Sequence, residues 1–100
     1  MENKQNNLDN SILIGGKPFM NYITAVVIQF STKEAKKVTI LARGKFISKA
    51  VDVAEVSRRK FLENQNIELG QVRIGSEEFE NQEGKKVNVS TIEIDLEKRG

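Results

Sequence analysis

Two stretches decide the fold: Ile12-Leu13-Ile14-Gly15-Gly16-Lys17-Pro18-Phe19-Met20-Asn21-Tyr22-Ile23 and, later, Ile40-Leu41-Ala42-Arg43-Gly44-Lys45-Phe46-Ile47-Ser48-Lys49-Ala50. Each passes from apolar residues, through glycine and a basic residue, into a segment whose apolar positions fall three or four apart. In the first, residues 11–14 are cut off by Gly15-Gly16, which predicts a short strand buried on both faces. Pro18 suits the first turn of a helix, where a fixed φ helps and a missing N–H costs nothing. Met20, Ile23, Val26, Val27 and Phe30 follow at helical spacing, so the first helix is expected over residues 18–31. In the second stretch, residues 37–43 alternate, with Val38, Ile40 and Ala42 on one face, and Gly44 ends the strand. Helical spacing returns from Ile47 through Ala50, Val51, Ala54, Ser57 or Arg58, and Phe61, which predicts a second helix over residues 47–63.

Working outward, Asn64-Gln65-Asn66 breaks that helix, and residues 67–76 and 86–98 read as two long strands joined by a polar segment, 77–85, that contains Gly84. They should pair as an antiparallel hairpin with an extended arm. Apolar parity is odd at Ile67 and Leu69 but even at Val72 and Ile74. It is likewise odd at Val87 and Val89 but even at Ile92, Ile94 and Leu96. A side-chain period of two cannot switch faces within a regular ladder, so irregularities are expected near Gly70 and near Ser90-Thr91.

The order β-α-β-α-β-β, with right-handed crossovers, makes the first two strands parallel. Both helices then cover one face of a four-stranded mixed sheet, an α+β two-layer sandwich with a β-hairpin arm. The loops Gly15-Gly16-Lys17 and Arg43-Gly44-Lys45 both leave the carboxyl ends of parallel strands, so they emerge at one end of the sheet, and both open helices. Each offers backbone N–H groups and a positive dipole end beside a basic side chain. Lys49, one turn into the second helix, extends the patch, and Phe46 is the better exposed aromatic there. Gly15-Gly16-Lys17 lacks the upstream glycine of a nucleotide phosphate loop and is followed by Pro18, and no Gly-x-Gly-x-x-Gly occurs. An extended phosphate backbone is the better ligand.

Charge agrees. The 100 residues carry 16 Lys+Arg and 14 Asp+Glu, a formal net charge of only +2. Residues 17–49 hold Lys17, Lys33, Lys36, Lys37, Arg43, Lys45 and Lys49 against Glu34 alone, net +6. Residues 1–16 are net −1, and residues 50–100, with eight basic against eleven acidic side chains, are net −3. We expect the basic middle to concentrate at the two helix N-termini and to mark a polyanionic partner. With no Cys and no His, thiol nucleophiles, disulfides and the commonest acid–base side chain and metal ligand are all missing, so no enzyme, cofactor, metal or small-molecule substrate is expected. Residues 1–10 are polar apart from Met1 and Leu8 and read as a flexible tail before a single domain over residues 11–100. No segment reads as a membrane span or a signal peptide, so the chain is expected in the cytoplasm.

The runs IGGKPFMNYITA, ARGKFISKAVDVAEVSRRKFL, VRIGS and VSTIEI, in that order, make residues 12–98 similar to the Alba family of small archaeal chromatin proteins. The resemblance implies a fold like the carboxyl-terminal domain of a bacterial translation initiation factor. It also implies a homodimer and sequence-tolerant binding of double-stranded DNA and of RNA on the chromosome. Carried over residue by residue, Lys17, Arg43 and Lys45 contact nucleic acid, with Asn21 and Tyr22 as neighbours, and the arm, with Lys85 and Lys86, reaches along the minor groove. Phe61, at the end of the second helix, either closes the core with Leu62 or, as the resemblance implies, makes contacts between dimers. Gly16-Lys17 stands where the family commonly has two lysines, one of them acetylated, which leaves Lys17 as the acetylation candidate. The arm departs from the family as well. Glu77, Glu78, Glu80 and Glu83 oppose only Lys85 and Lys86, and Asn88 replaces a frequently basic residue. Weaker duplex affinity than in more basic relatives is expected, favouring RNA or low salt. The alternative function is an RNA-binding accessory of a ribonucleoprotein, RNA-processing or translation complex.

Other features have plainer readings. Asp52 and Glu55 are expected to form a solvated face with Arg59 rather than a metal or acid–base pair. The arm glutamates are expected to discourage edge-to-edge sheet pairing. Tyr22 is expected to pack half-buried in the first helix.

Overall fold

A computed structural model of the chain describes residues 10–99. The elements are β1 (Ser11–Leu13), α1 (Phe19–Ser31), β2 (Lys37–Arg43), α2 (Ile47–Val56), β3 (Ile67–Glu80) and β4 (Lys86–Lys98). They form a four-stranded sheet of order β1-β2-β4-β3, in which β1 runs parallel to β2 and the other pairings are antiparallel. This is the mixed sheet with two helices that the order of elements requires. The expected tail of residues 1–10 lies outside the described residues except for Asn10, whose carbonyl accepts a bond from Thr39 N at 2.8 Å just before β1 begins.

The core lies between one sheet face and both helices. Val38, Ile40 and Ala42 of β2 and Ile94 and Leu96 of β4 meet Ile23, Val26 and Phe30 of α1 and Ala50, Val53 and Ala54 of α2, all buried. Full burial stabilises each larger aliphatic or aromatic side chain by about 1.5–3 kcal/mol.

Several boundaries differ from those expected, each for a physical reason. β1 is buried on one face only: Ile12 is in the core but Leu13 is 63% exposed, because β1 is an edge strand and the helices cover one side of the sheet. Pro18 is the N-cap of α1 rather than its first turn, and its carbonyl accepts the Asn21 N–H at 3.0 Å. The second helix is composite. A 3₁₀ turn (Gly44–Phe46) leads into α2, and a π-helical turn (Ser57–Phe61), in which Leu62 N–H reaches back to Ser57 O, ends it. β3 runs on to Glu80, four residues beyond its expected end, because Glu77, Phe79 and Glu80 pair with Val89, Val87 and Lys86. The tip is a tight turn in which Asn81 Oδ1 accepts the N–H groups of Glu83 and Lys85, and Gly84 takes a φ of +82°. Residues 71–86 are exposed throughout.

The expected irregularity near Gly70 is present, since the β3–β4 register shifts between Leu69 and Val72. The one expected near Ser90-Thr91 is absent: pairing continues from Ile74–Ile92 through Gly75–Thr91 and Ser76–Ser90. The parity of β4 changes because no helix covers the arm, so Val87 and Val89 are free to lie on the face opposite Ile92 and Ile94.

That helix-free face carries an ion-pair network that the sequence did not reveal. Asp95 of β4, 2% exposed, accepts Thr39 Oγ1 of β2 at 2.8 Å and both terminal nitrogens of Arg73 of β3 at 2.9 and 3.0 Å. Arg73 Nε also donates to Glu93 at 2.7 Å, so three strands are cross-linked at the root of the arm.

Candidate nucleic-acid interface

β1 and β2 are parallel and adjacent, so the loop of residues 15–17 and the turn Gly44–Phe46 leave the same end of the sheet and lie side by side. The contact is direct. Lys49 Nζ, from the first turn of α2, donates to Gly15 O at 2.8 Å and to Lys17 O at 2.6 Å. Tyr22 of α1 holds the same loop from below, its hydroxyl oxygen accepting Gly15 N–H at 3.0 Å and Lys17 N–H at 3.1 Å. Lys49 Nζ lies 5.0 Å from the centre of the Tyr22 ring and 5.9 Å from that of Phe46, and Lys45 Nζ lies 5.5 Å from Phe46. Phe46 is more open than Tyr22, yet it packs against the core and serves as a platform for two lysines. Tyr22 is buried rather than half-buried. Burial pushes its hydroxyl pKa up, but the bonds from Lys17 and Gly15 N–H and the charges of Lys49 and Lys17 outweigh this and hold it below the ordinary tyrosine value.

Neither α1, α2 nor the Gly44–Phe46 turn has an acidic residue in its first turn or a side-chain cap, so no carboxylate of these segments competes for their positive ends. Gly16 and Lys17 are exposed, and a Cβ on Gly16 would meet nothing within 4 Å, which leaves room for a ligand backbone. Gly44 has a φ of +60°, the left-handed region where a side chain is strained, and this reversal turns the chain from β2 into the helical turn. Arg43 and Lys45 flank it, both exposed. Asn21, also exposed, stands near the start of α1.

The predicted site residues therefore divide. Gly15, Gly16, Lys17, Asn21, Arg43, Gly44, Lys45, Phe46 and Lys49 gather at one end of the sheet. Lys85 and Lys86 sit at the tip of the arm, and Phe61, 49% exposed, ends the π-helical turn at the opposite end of the second helix. The basic middle third is not one patch, contrary to expectation. Lys33, Lys36 and Lys37 lie where β2 begins, at the far end of the sheet, because a strand carries its two termini to opposite ends.

Two participants were missed. The Tyr22 hydroxyl had as its only signal an aromatic one turn into a helix after a glycine-rich loop. Glu77 had none: its Oε1 accepts from Arg43 Nη1 at 2.8 Å, with both side chains more than half exposed, and this pairing exists only because β3 extends past residue 76. An exposed pair of this kind is worth about 0–1 kcal/mol, yet it engages a guanidinium that a phosphate would also seek. Elsewhere, Glu55 accepts from Arg59 at 2.7 Å and from Arg58 at 2.8 Å, the solvated face expected; these bonds hold its carboxyl below the usual glutamate value. Among the described residues no group of three or more Asp and Glu side chains is arranged to hold a metal ion, and no helix is long and apolar enough to cross a membrane.

Comparison with known proteins agrees with this geometry. The sequence model of the Alba family matches residues 10–76. The chain is 50% identical over 90 residues to the DNA/RNA-binding protein Alba of Methanocella arvoryzae, covering 90% of this chain and 91% of that protein. It is 44% identical over 91 residues to the DNA/RNA-binding protein Alba 1 of Archaeoglobus fulgidus, covering 91% and 98%. The solved structure of Alba from Thermoplasma volcanium superposes with a TM-score of 0.81 at 47% identity, covering 89% of this chain and all of that one. With the fold, about half of the aligned residues and most of the length in common, the chain belongs to the Alba family.

Proposed function

We propose that this chain is a homodimeric, non-enzymatic protein that coats double-stranded DNA and RNA through phosphate contacts, without base readout, and compacts the chromosome in the cytoplasm. The observation that carries the reading is the meeting of Gly15-Gly16-Lys17 with Arg43-Gly44-Lys45 at two helix N-termini with no acidic residue in their first turns, in a chain whose relatives are named DNA/RNA-binding proteins. Lys17, Arg43 and Lys45 supply charge, Gly16 and Gly44 close approach, Asn21 a neutral donor, and Lys85 and Lys86 a second contact from the arm. Removing the charge of Lys17 by acetylation would weaken the grip. Phe61 serves contacts between dimers.

The reading is tested by binding isotherms with duplex DNA and with RNA at 50 and 200 mM salt. Six to ten phosphate contacts per dimer lower affinity by about 10³–10⁵ between these concentrations. A salt-independent affinity would sink it. Sequencing the nucleic acid recovered with the protein from cells ranks DNA against RNA. The second reading, an RNA-binding accessory of a ribonucleoprotein complex, shares this phosphate chemistry, and the same sequencing separates it from the first.

The homodimer is supported by an apolar strip that one subunit leaves open. Leu69, Val72 and Ile74 of β3 are 46%, 49% and 82% exposed, and Leu69 and Val72 line a groove with Val51, Ala54 and Ile92. Val72→Glu is expected to convert the dimer to a monomer in sedimentation analysis while leaving the circular dichroism spectrum unchanged. A dimer that persists in this variant places the interface elsewhere.

A further inference from the structure

We infer that Lys49 and Tyr22 are positioning residues for the nucleic-acid surface: they form a latch that pre-shapes the loop of residues 15–17, and Lys49 is not itself a phosphate contact. This rests on the reading of the two loops as the binding surface.

The geometry of Lys49 is that of a cation already housed by its own protein. Two of its three N–H donors are taken by Gly15 O and Lys17 O, and the ammonium stands between the rings of Tyr22 and Phe46. Two carbonyl oxygens and two aromatic faces already replace much of the water around the ammonium, so an incoming phosphate must break both hydrogen bonds to draw Lys49 away. Lys17 differs, since its side chain projects into solvent from an exposed position.

The loop needs such support because Gly15 and Gly16 are its first two residues. Glycine loses more conformational freedom than any other residue when fixed. A loop that ordered itself only on meeting nucleic acid would carry that cost into binding, whereas a loop held beforehand does not. The latch supplies the order from two directions. The Tyr22 hydroxyl takes the N–H groups of Gly15 and Lys17, so that of Gly16 is outside these bonds. Lys49 takes the carbonyls of Gly15 and Lys17, masking two negative dipole ends that would otherwise repel a phosphate. Because Lys49 belongs to α2 and Tyr22 to α1, the same four bonds also fix the distance between the two basic loops. Tyr22 needs a hydroxyl for this role, and a packing residue would not.

The test uses the intact dimer and a 20-base-pair duplex. Binding is measured from 50 to 200 mM salt for the wild type, Lys49→Met and Tyr22→Phe, and amide exchange of Gly15 and Lys17 is followed by NMR in the absence of DNA. Both variants are expected to bind about tenfold more weakly. Their slope of log affinity against log salt should match the wild type, and exchange at Gly15 and Lys17 should be faster while that of Ile40 in the core is unchanged. A slope that falls by about 1.8 in Lys49→Met, 0.9 for each lost phosphate contact in the dimer, makes Lys49 a direct contact and overturns the inference. Wild-type affinity or wild-type exchange in Tyr22→Phe overturns it as well. Failure of the wild type to bind would instead overturn the proposed function, while the exchange measurement would still read the latch.

Discussion

Lys17→Ala combined with Arg43→Ala is expected to weaken binding of a 20-base-pair duplex by about 10²–10³ near 0.15 M salt, and to lower the salt slope by about 3.6. The size follows from counterion release: the proposed dimer would lose four cationic side chains, and each neutralised phosphate contributes about 0.9 to the slope. Lys17 and Arg43 are both exposed, and neither side chain contributes to the core, so folding should be untouched. Electrophoretic mobility shifts and fluorescence anisotropy measure the loss, and a shift like that of the wild type would place the site elsewhere. Glu77→Gln is the control of opposite sign. It frees the Arg43 guanidinium from a 2.8 Å ion pair and should tighten binding a few-fold, consistent with an exposed pair worth about 0–1 kcal/mol. In a double-mutant cycle the gain should vanish when Arg43 is already alanine, because then no pair remains to break. A gain that survives there would make Glu77 one of several charges acting through the general field of the arm.

The second large effect is on stability. Asp95→Ala is expected to destabilise the fold by about 2–3 kcal/mol and to lower Tm by about 10–20 °C. Removing one partner of a fully buried pair costs about 3–5 kcal/mol, but Arg73 is 41% exposed and keeps Glu93, so water and the second carboxylate compensate in part. The pH dependence follows from the same contacts. The bonds from Arg73 hold the Asp95 carboxyl below its ordinary value of 3.8 against the upward push of burial, with help from Thr39 and from the charges of Arg73 and Lys37. A depressed carboxyl contributes stability in full above its unfolded pKa and loses it as pH falls through the folded one. Thermal melts of the wild type should therefore drop steeply below about pH 4, and those of Asp95→Asn should drop less. Equal acid slopes in the two proteins would remove Asp95 as a source of acid sensitivity.

Much of this was readable in the sequence, and the reason is distance along the chain. Helix α1 shows itself in Ile23, Val26, Val27 and Phe30, β2 in Val38, Ile40 and Ala42, and the loop ends in Gly15-Gly16 and Gly44, because helical and strand periods span only two to four residues. The bulge beside Gly70 was legible for the same reason, as a local change of parity. Where local patterns misled, tertiary packing overrode them: the parity change in β4 needed no bulge because no helix covers the arm, and Leu13 is exposed because the helices cover only one side of the edge strand β1.

By itself, then, the sequence determined the order of elements, the mixed sheet, the two glycine–lysine loops, the absence of His and Cys chemistry and the family likeness. All of these rest on residue type and short-range spacing. The tertiary structure alone decided the pairings that set strength and shape: Arg43 with Glu77, Lys49 with the carbonyls of Gly15 and Lys17, and Arg73 and Thr39 with Asp95. These partners lie 22 to 56 positions apart and meet only through strand register and helix docking, which no local period encodes. The net charge of +2 belongs to the sequence, but which of its cations face a phosphate and which are already held by the protein is a property of the fold.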